Sequence, residues 1–206
     1  MYLVRPPYLL KKLYPKAVWR KNKTKKNIYL TFDDGPIPEV TLWVLDLLKQ
    51  KNVIATFFCV GDNILKHPQV YKRIREANHS VGNHTYNHLN GWNTDTTEYF
   101  KNIALCDAML NTTSSPKLFR PPYGKLKKAQ LKQAANNYNV IMWDVLSGDY
   151  DKDTTPEQCL LNVVNHVRNG SVIVFHDSIK AQKNLQYSLP LFIDYAIAKG
   201  FEFKAL

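Results

Sequence analysis

From Asn27 to the end of the chain, short apolar runs alternate with longer amphipathic stretches. Ile28–Phe32, Val53–Val60, Ser80–Asn83, Leu118–Phe119, Val140–Val145, Val172–Phe175 and Phe201–Lys204 have strand character, most of them rich in β-branched and aromatic residues. Between them, Glu39–Lys51, Asn63–Ala77, Thr96–Leu110, Leu126–Asn136, Pro156–Val167 and Leu189–Ala198 carry helical patterning. Pro156 stands where a helix begins, its fixed φ suiting the first turn. The core strands are apolar throughout rather than alternating, the signature of a parallel sheet covered on both faces. About seven strand–helix units predict an α/β fold, a distorted (β/α) barrel of about seven parallel strands surrounded by helices.

Composition adds limits. The chain of 206 residues suits one domain with a sizeable core. Residues 1–26 differ from the rest in being basic and aromatic, so they read as an N-terminal arm, with the domain proper at 27–206. The arm is expected to pack on the domain through its tyrosines and tryptophan. Peripheral contact with an anionic membrane is its alternative use. Twenty-eight Lys and Arg against 17 Asp and Glu give a net charge of +11, which favours anionic partners. No nucleic-acid recognition motif accompanies the charge, so no nucleic acid is expected as partner. Cys59, Cys106 and Cys159 are widely spaced, which argues against disulfides and a thiolate metal site. No apolar stretch of ~18 residues is present, and the N-terminus lacks a signal-peptide core. The expectation is a cytoplasmic location, with the arm touching the inner face of the membrane.

Candidate chemistry gathers where the strands end. Asp33-Asp34-Gly35-Pro36 follows the first strand, and the Gly-Pro stop lets both carboxylates turn toward the strand's C-terminal end. In α/β barrels that end carries the active site; a polar turn with a capping aspartate would look the same. His84 and His88 share a face if their segment is helical, a spacing that chelates a divalent ion. With Asp34 as third ligand, one position would remain open for water. His67 and His79 lack such spacing and read as structural or solvated. Arg120-Pro121-Pro122-Tyr123-Gly124 places a guanidinium where it can orient carboxylates. Arg5-Pro6-Pro7-Tyr8 repeats the motif in the arm, but only the second copy follows an α/β unit. His176 ends the strand Val172–Phe175 and is a candidate acid; a strand-end histidine bonded to a carbonyl is the plain alternative.

Taken together, Thr31-Phe32-Asp33-Asp34-Gly35-Pro36, His84-Thr85-Tyr86-Asn87-His88, Arg120-Pro121-Pro122-Tyr123 and the strand ending at His176 make residues 27–206 resemble the polysaccharide deacetylase family, the NodB-homology or carbohydrate esterase family 4 domain. The resemblance implies a distorted barrel that hydrolyses acetyl groups on glycans, with GlcNAc-type sugars foremost. It implies that Asp34, His84 and His88 hold a divalent metal, zinc by preference and cobalt or nickel as alternatives. By the same resemblance Asp33 is the base, Arg120 orients it, the Tyr123 N–H stabilises the oxyanion and His176 protonates the departing amine. Two departures stand out. Leu146 occupies the place of the fourth motif's first Asp, so Asp144 is expected to substitute, or His176 to be a weaker acid with a lowered pKa. Ile173 replaces a leucine expected in the pocket wall. O-acetyl ester cleavage and a non-catalytic metal- or glycan-binding role are the competing readings.

Overall fold

The computed structural model describes residues 2–113 and 116–206. Its parallel strands are β1 (Asn27–Asp33), β2 (Thr56–Cys59), β3 (Ser80–Asn83), β4 (Lys117–Phe119), β5 (Tyr138–Val140), β6 (Val145–Leu146) and β7 (Val172–His176). They pair in the order β5-β4-β3-β2-β1-β7-β6, and every neighbouring pair is parallel. A short β8 (Glu202–Phe203) joins the beginning of β1. The two edges of the curled sheet, β5 and β6, are consecutive in sequence. One stretch of chain thus bonds β4 with its first part and β7 with its last, which is the distorted barrel that the alternation of elements predicts.

Helices cover the outside: α2 (Pro38–Lys51), α3 (Gly61–Lys66), α4 (Pro68–Glu76), α5 (Thr96–Leu110), α6 (Lys128–Ala134), α7 (Pro156–Val164) and α8 (Gln182–Ala198). Asp95 caps α5 by accepting from Thr97 and Glu98 N–H, and Thr155 caps α7 just before Pro156. Period-two alternation along β1 sends Leu30 and Phe32 outward, where they meet Phe57, Ile173, Phe175 and Phe192 in the layer beneath the helices. Each such side chain contributes roughly 1.5–3 kcal/mol by leaving water. Tyr29, Thr31 and Asp33 face inward. Tyr29, Phe58, Ile141 and Val172 fill the interior near the strand beginnings. The opposite rim stays open, and there Asp33 and His176 stand in register.

Three elements differ from the sequence reading. Asn63–Ala77 is two helices, because Pro68 bars His67 from helical geometry and His67 sits at φ −130°, ψ 55°. Val140–Val145 is not one strand. Its middle turns from β4 toward β7, and Val18 of the arm fills the gap, accepting from Met142 N–H and donating to Val140 O at 2.8 Å each. The last helix begins at Gln182 rather than Leu189 and carries Pro190 inside it. The arm itself forms α1 (Tyr8–Leu13), and its Tyr14 and Trp19 are buried in a core cluster with Tyr99, Phe119, Leu126 and Met142.

Candidate active site

Asp33 ends β1 facing the interior, and Arg120, just past β4, reaches it from below with Nη1 2.6 Å from Oδ1. Arg120 is 1% exposed, yet every arm of its guanidinium is used. It also donates to Thr31 Oγ1 and to the carbonyls of Ile141 and Met142, and its plane lies 4.2 Å over the Phe58 ring. A buried charge so fully bonded holds its partner carboxylate in one place.

Asp34 turns away from Asp33 through a left-handed backbone, φ 83°. Its Oδ1 lies 3.1 Å from His88 Nε2 and 3.7 Å from His84 Nε2, and one ligand atom from each of the three residues lies within 4.8 Å of the others. The two histidines are not on a helix. They stand in a loop after β3, with Thr85 and His88 at positive φ, 62° and 55°. Asn83 and Asn102 hold that loop: Asn83 Oδ1 accepts from Thr85 N–H, and Asn102 Oδ1 accepts from Tyr86 and Asn87 N–H. His84 Nδ1 lies 2.8 Å from the Arg120 carbonyl, so Nδ1 carries the proton and the Nε2 lone pair faces Asp34. Burial pushes the His84 pKa down to about 4. Burial works to raise the Asp34 carboxyl, but the His88 hydrogen bond and the nearby histidines overcome it and hold it far below its ordinary range. His88 Nδ1 meets the Tyr123 hydroxyl at 3.1 Å. A carboxylate and two imidazoles with their free nitrogens converging form a donor set that fits a divalent metal with an open position.

The acid side corrects two expectations. Asp144 does not substitute for the motif-four carboxylate. It is fully buried elsewhere, bonded to Arg168, Ser171 and Lys11, because the broken strand between β5 and β6 does not carry residue 144 to the face of residue 146. Asp149 takes the role: its Oδ1 lies 2.8 Å from His176 Nδ1 and its Oδ2 accepts the His176 backbone N–H at 2.7 Å. Nor is the His176 pKa lowered. Burial works to lower its pKa, but the Asp149 carboxylate outweighs it and raises His176 to about 9. Ile173 faces the helices rather than the pocket; Val174 and His176 are the residues of β7 that line it.

These groups open into a cleft of about 630 Å³ whose walls include Asp33, Asp34, His84, His88, Tyr123 and His176. A family model for polysaccharide deacetylase matches residues 20–143, more than half of the chain.

The chain belongs to the polysaccharide deacetylase family.

Two relatives from Bacillus cereus strain ATCC 14579 carry the name peptidoglycan-N-acetylglucosamine deacetylase. One is 41% identical over 157 residues, 75% of this chain and 57% of the relative; the other is 30% identical over 200 residues, 95% and 94%. The chain therefore spans little more than half of the first and nearly all of the second. A solved peptidoglycan N-acetylglucosamine deacetylase, in complex with 4-naphthalen-1-yl-N-oxidanyl-benzamide, superposes with a TM-score of 0.89 at 35% identity, covering 98% of this chain and 95% of that one.

Within this deacetylase fold the residues singled out by motif converge on one cleft. Motif reasoning assigned no role to Asn102, Asp149 and Asp177, which hold the cleft residues in place. Asp177 Oδ1 accepts Gly35 N–H and its Oδ2 accepts the Thr41 hydroxyl, tying the turn after Asp34 to α2. Gly35 leaves no room for a side chain, since a Cβ there would lie 2.0 Å from Asp177 Oδ2. Burial raises the Asp177 carboxyl to about 8. Asp149 and Asp177 flank named motifs and were legible as residues; their partners lie on other strands and helices and were not.

Proposed function

We propose that this chain is a metal-dependent hydrolase that removes N-linked acetyl groups from a GlcNAc-type carbohydrate, with zinc as the metal and peptidoglycan-type glycan as the substrate class. The observation that supports this reading best is the meeting, in one cleft, of an Asp34–His84–His88 donor set, a buried Asp33 beside it and a His176 whose pKa is raised to about 9. Cobalt or nickel would accept the same donors.

When bound, the metal would polarise the amide carbonyl and lower the pKa of its water toward ~7. Asp33, fixed by Arg120, accepts the proton of the attacking water. The Tyr123 backbone N–H donates to the carbonyl oxygen as negative charge develops there. His176 is charged at neutral pH and gives its proton to the departing nitrogen. An amine leaves poorly without that proton, whereas an alkoxide needs less help, so the tuned His176 favours the amide over the O-acetyl ester. It also favours an enzyme over a binding domain, which has no use for a base and an acid set beside the metal donors.

Acetate release from N-acetylated and O-acetylated saccharides, measured with zinc, with cobalt and with chelator, tests the proposal. Metal-dependent release from the amides is expected. Asp33→Asn should lower turnover by ~10²–10⁴-fold while the protein still binds the metal. Undiminished turnover in Asp33→Asn would remove Asp33 from the role of base.

No helix among the described residues is long and apolar enough to cross a membrane. Tyr8, Leu9 and Leu13 of α1 are exposed beside Lys12 and Lys16, an arrangement that supports peripheral contact with anionic lipid. Co-sedimentation with phosphatidylglycerol vesicles, lost in Leu9→Glu, checks it.

A further inference from the structure

The cleft is polar on one side of the Asp34–His84–His88 cluster and apolar on the other. Leu10, Tyr14, Trp143, Leu146 and Val174 wall the apolar side. On the polar side a hollow of about 310 Å³ adjoins Asp34 and His88 and is bordered by Asp62, Asn63, Asn87 and Lys180. Lys180 borders the cleft as well as the hollow. It lies in the short turn Ile179–Ala181 that follows β7, and its side chain is 56% exposed. Its Nζ is 3.8 Å from Asp34 Oδ2 and 5.5 Å from the centre of the Tyr150 ring. That ring in turn meets the His176 ring edge to face, with centroids 4.7 Å apart. The ammonium thus stands over the space between Asp34 and His176.

The other charges around this space have dedicated partners. Asp33 is paired with Arg120, His176 with Asp149, and Asp62 with Lys66. Among the described residues Asp34 is the carboxylate within ion-pair distance of Lys180, and at 3.8 Å the contact is too long for a hydrogen bond. Asp34 is drawn instead to His88 at 3.1 Å, and in the reading above its charge is taken up by a divalent ion. The Tyr150 ring attracts a cation without neutralising it. Lys180 therefore faces the substrate space as a cation that lacks a counter-charge.

The proposed reaction decides which part of a substrate meets it. The amide nitrogen turns toward His176, and the carbonyl oxygen turns toward the Asp34–His84–His88 cluster and Tyr123. The sugar carbon attached to that nitrogen accordingly starts on the His176 side, where Lys180 lies. The first substituents within reach of Nζ are those on the two carbons next to the amide-bearing one. In a 2-acetamido sugar these are O1 and O3. A hydroxyl there accepts one ordinary hydrogen bond. A carboxylate or phosphate carried on it supplies the counter-charge and a stronger, charge-assisted bond.

We propose that Lys180 is a specificity-determining residue, and that the enzyme prefers N-acetylated amino sugars with an anionic group beside the acetamido group, either a carboxylate ether on O3 or a phosphate on O1. The proposal rests on the deacetylase reading of the same centre and names the substrates that it favours. The bond changes are those of amide hydrolysis: water adds a C–O bond at the carbonyl carbon, the C–N bond breaks, and acetate and an ammonium sugar leave with the anionic group intact.

Two measurements test it. In the first, N-acetylmuramic acid, N-acetylglucosamine 1-phosphate and N-acetylglucosamine are titrated calorimetrically into zinc-loaded Asp33→Asn protein, which lacks the proposed base. At least one anionic sugar is expected to bind about 10-fold more tightly than the neutral one, the low end for a hydrogen bond to a charged group. Tighter binding of the first places the anion on O3, and of the second on O1. Lys180→Met should erase the gain and Lys180→Arg should keep it; the side chain is exposed, so neither change disturbs the fold. Equal affinities for the three sugars, or a gain that persists in Lys180→Met, overturn the proposal. In the second, acetate release from the same sugars is followed with the zinc-loaded wild-type protein. A higher kcat/KM for the anionic sugar, carried by KM and lost in Lys180→Met, supports the proposal. Release from the neutral sugar with an equal or higher kcat/KM overturns it and leaves the deacetylase reading standing. Release from none, with Lys180-dependent binding of the anionic sugar, upholds the Lys180 contact and overturns the hydrolase.

Discussion

Asp149 reaches His176 twice, through the imidazole and through the backbone N–H, and it does so because Gly148 turns the chain at φ 77°. A side chain at 148 would collide with the Tyr2 hydroxyl as well. The carboxylate keeps His176 charged to about pH 9, so the acid proposed above carries its proton at neutral pH and activity should fall as pH rises through that value. Asp149→Asn removes the opposing charge, and the pKa should drop toward the ordinary histidine value of ~6.5 or below it. The alkaline limb of the kcat–pH profile should move down with it. A limb that stays in place in Asp149→Asn would show that another group sets it. Leu146 and Asp149 were both visible in the sequence. Which of residues 144, 146 and 149 faces His176 was not, because strand alternation assigns faces only while the strand lasts, and β6 ends at Leu146.

At the scale of elements, hydropathy periodicity located nearly every strand and helix of the barrel. It failed where a neighbour reshapes the backbone. The stretch between β5 and β6 looks like one strand, but its first part pairs with β4 near one edge of the sheet and its last with β7 near the other. The arm was separable by composition, yet Trp19 is 9% exposed and packs against Tyr14 and Trp143 with ring centroids 6.4 and 6.2 Å away. Trp19→Ala should destabilise the whole domain by about 3–5 kcal/mol, measured by urea unfolding with a single transition. A loss under about 1 kcal/mol would mean that the arm is an appendage whose detachment leaves the barrel intact.

The whole molecule brings together side chains from the ends of β1, β3, β4 and β7. Parallel strands put all their C-terminal ends on one rim, so residues far apart in sequence become neighbours without any one of them being unusual. A metal held by Asp34, His84 and His88 would tie the ends of β1 and β3 together. Zinc at about 100 times its dissociation constant should stabilise the fold by about 2.7 kcal/mol. A thermal shift that chelator reverses and His84→Ala abolishes is the expected observation; a shift that survives His84→Ala would place the ion elsewhere. The α/β alternation, the Asp34–His84–His88 cluster and the Asp33–Arg120 pair were readable before any coordinates, because periodicity and short motifs are local properties of the chain. The Asp149 partner of His176, the closure of the barrel by the arm and the division of the cleft into polar and apolar sides came from tertiary structure alone. Each depends on which strand ends and side chains meet across the barrel, and that is set by packing and register over long sequence separations rather than by the identity of any one residue.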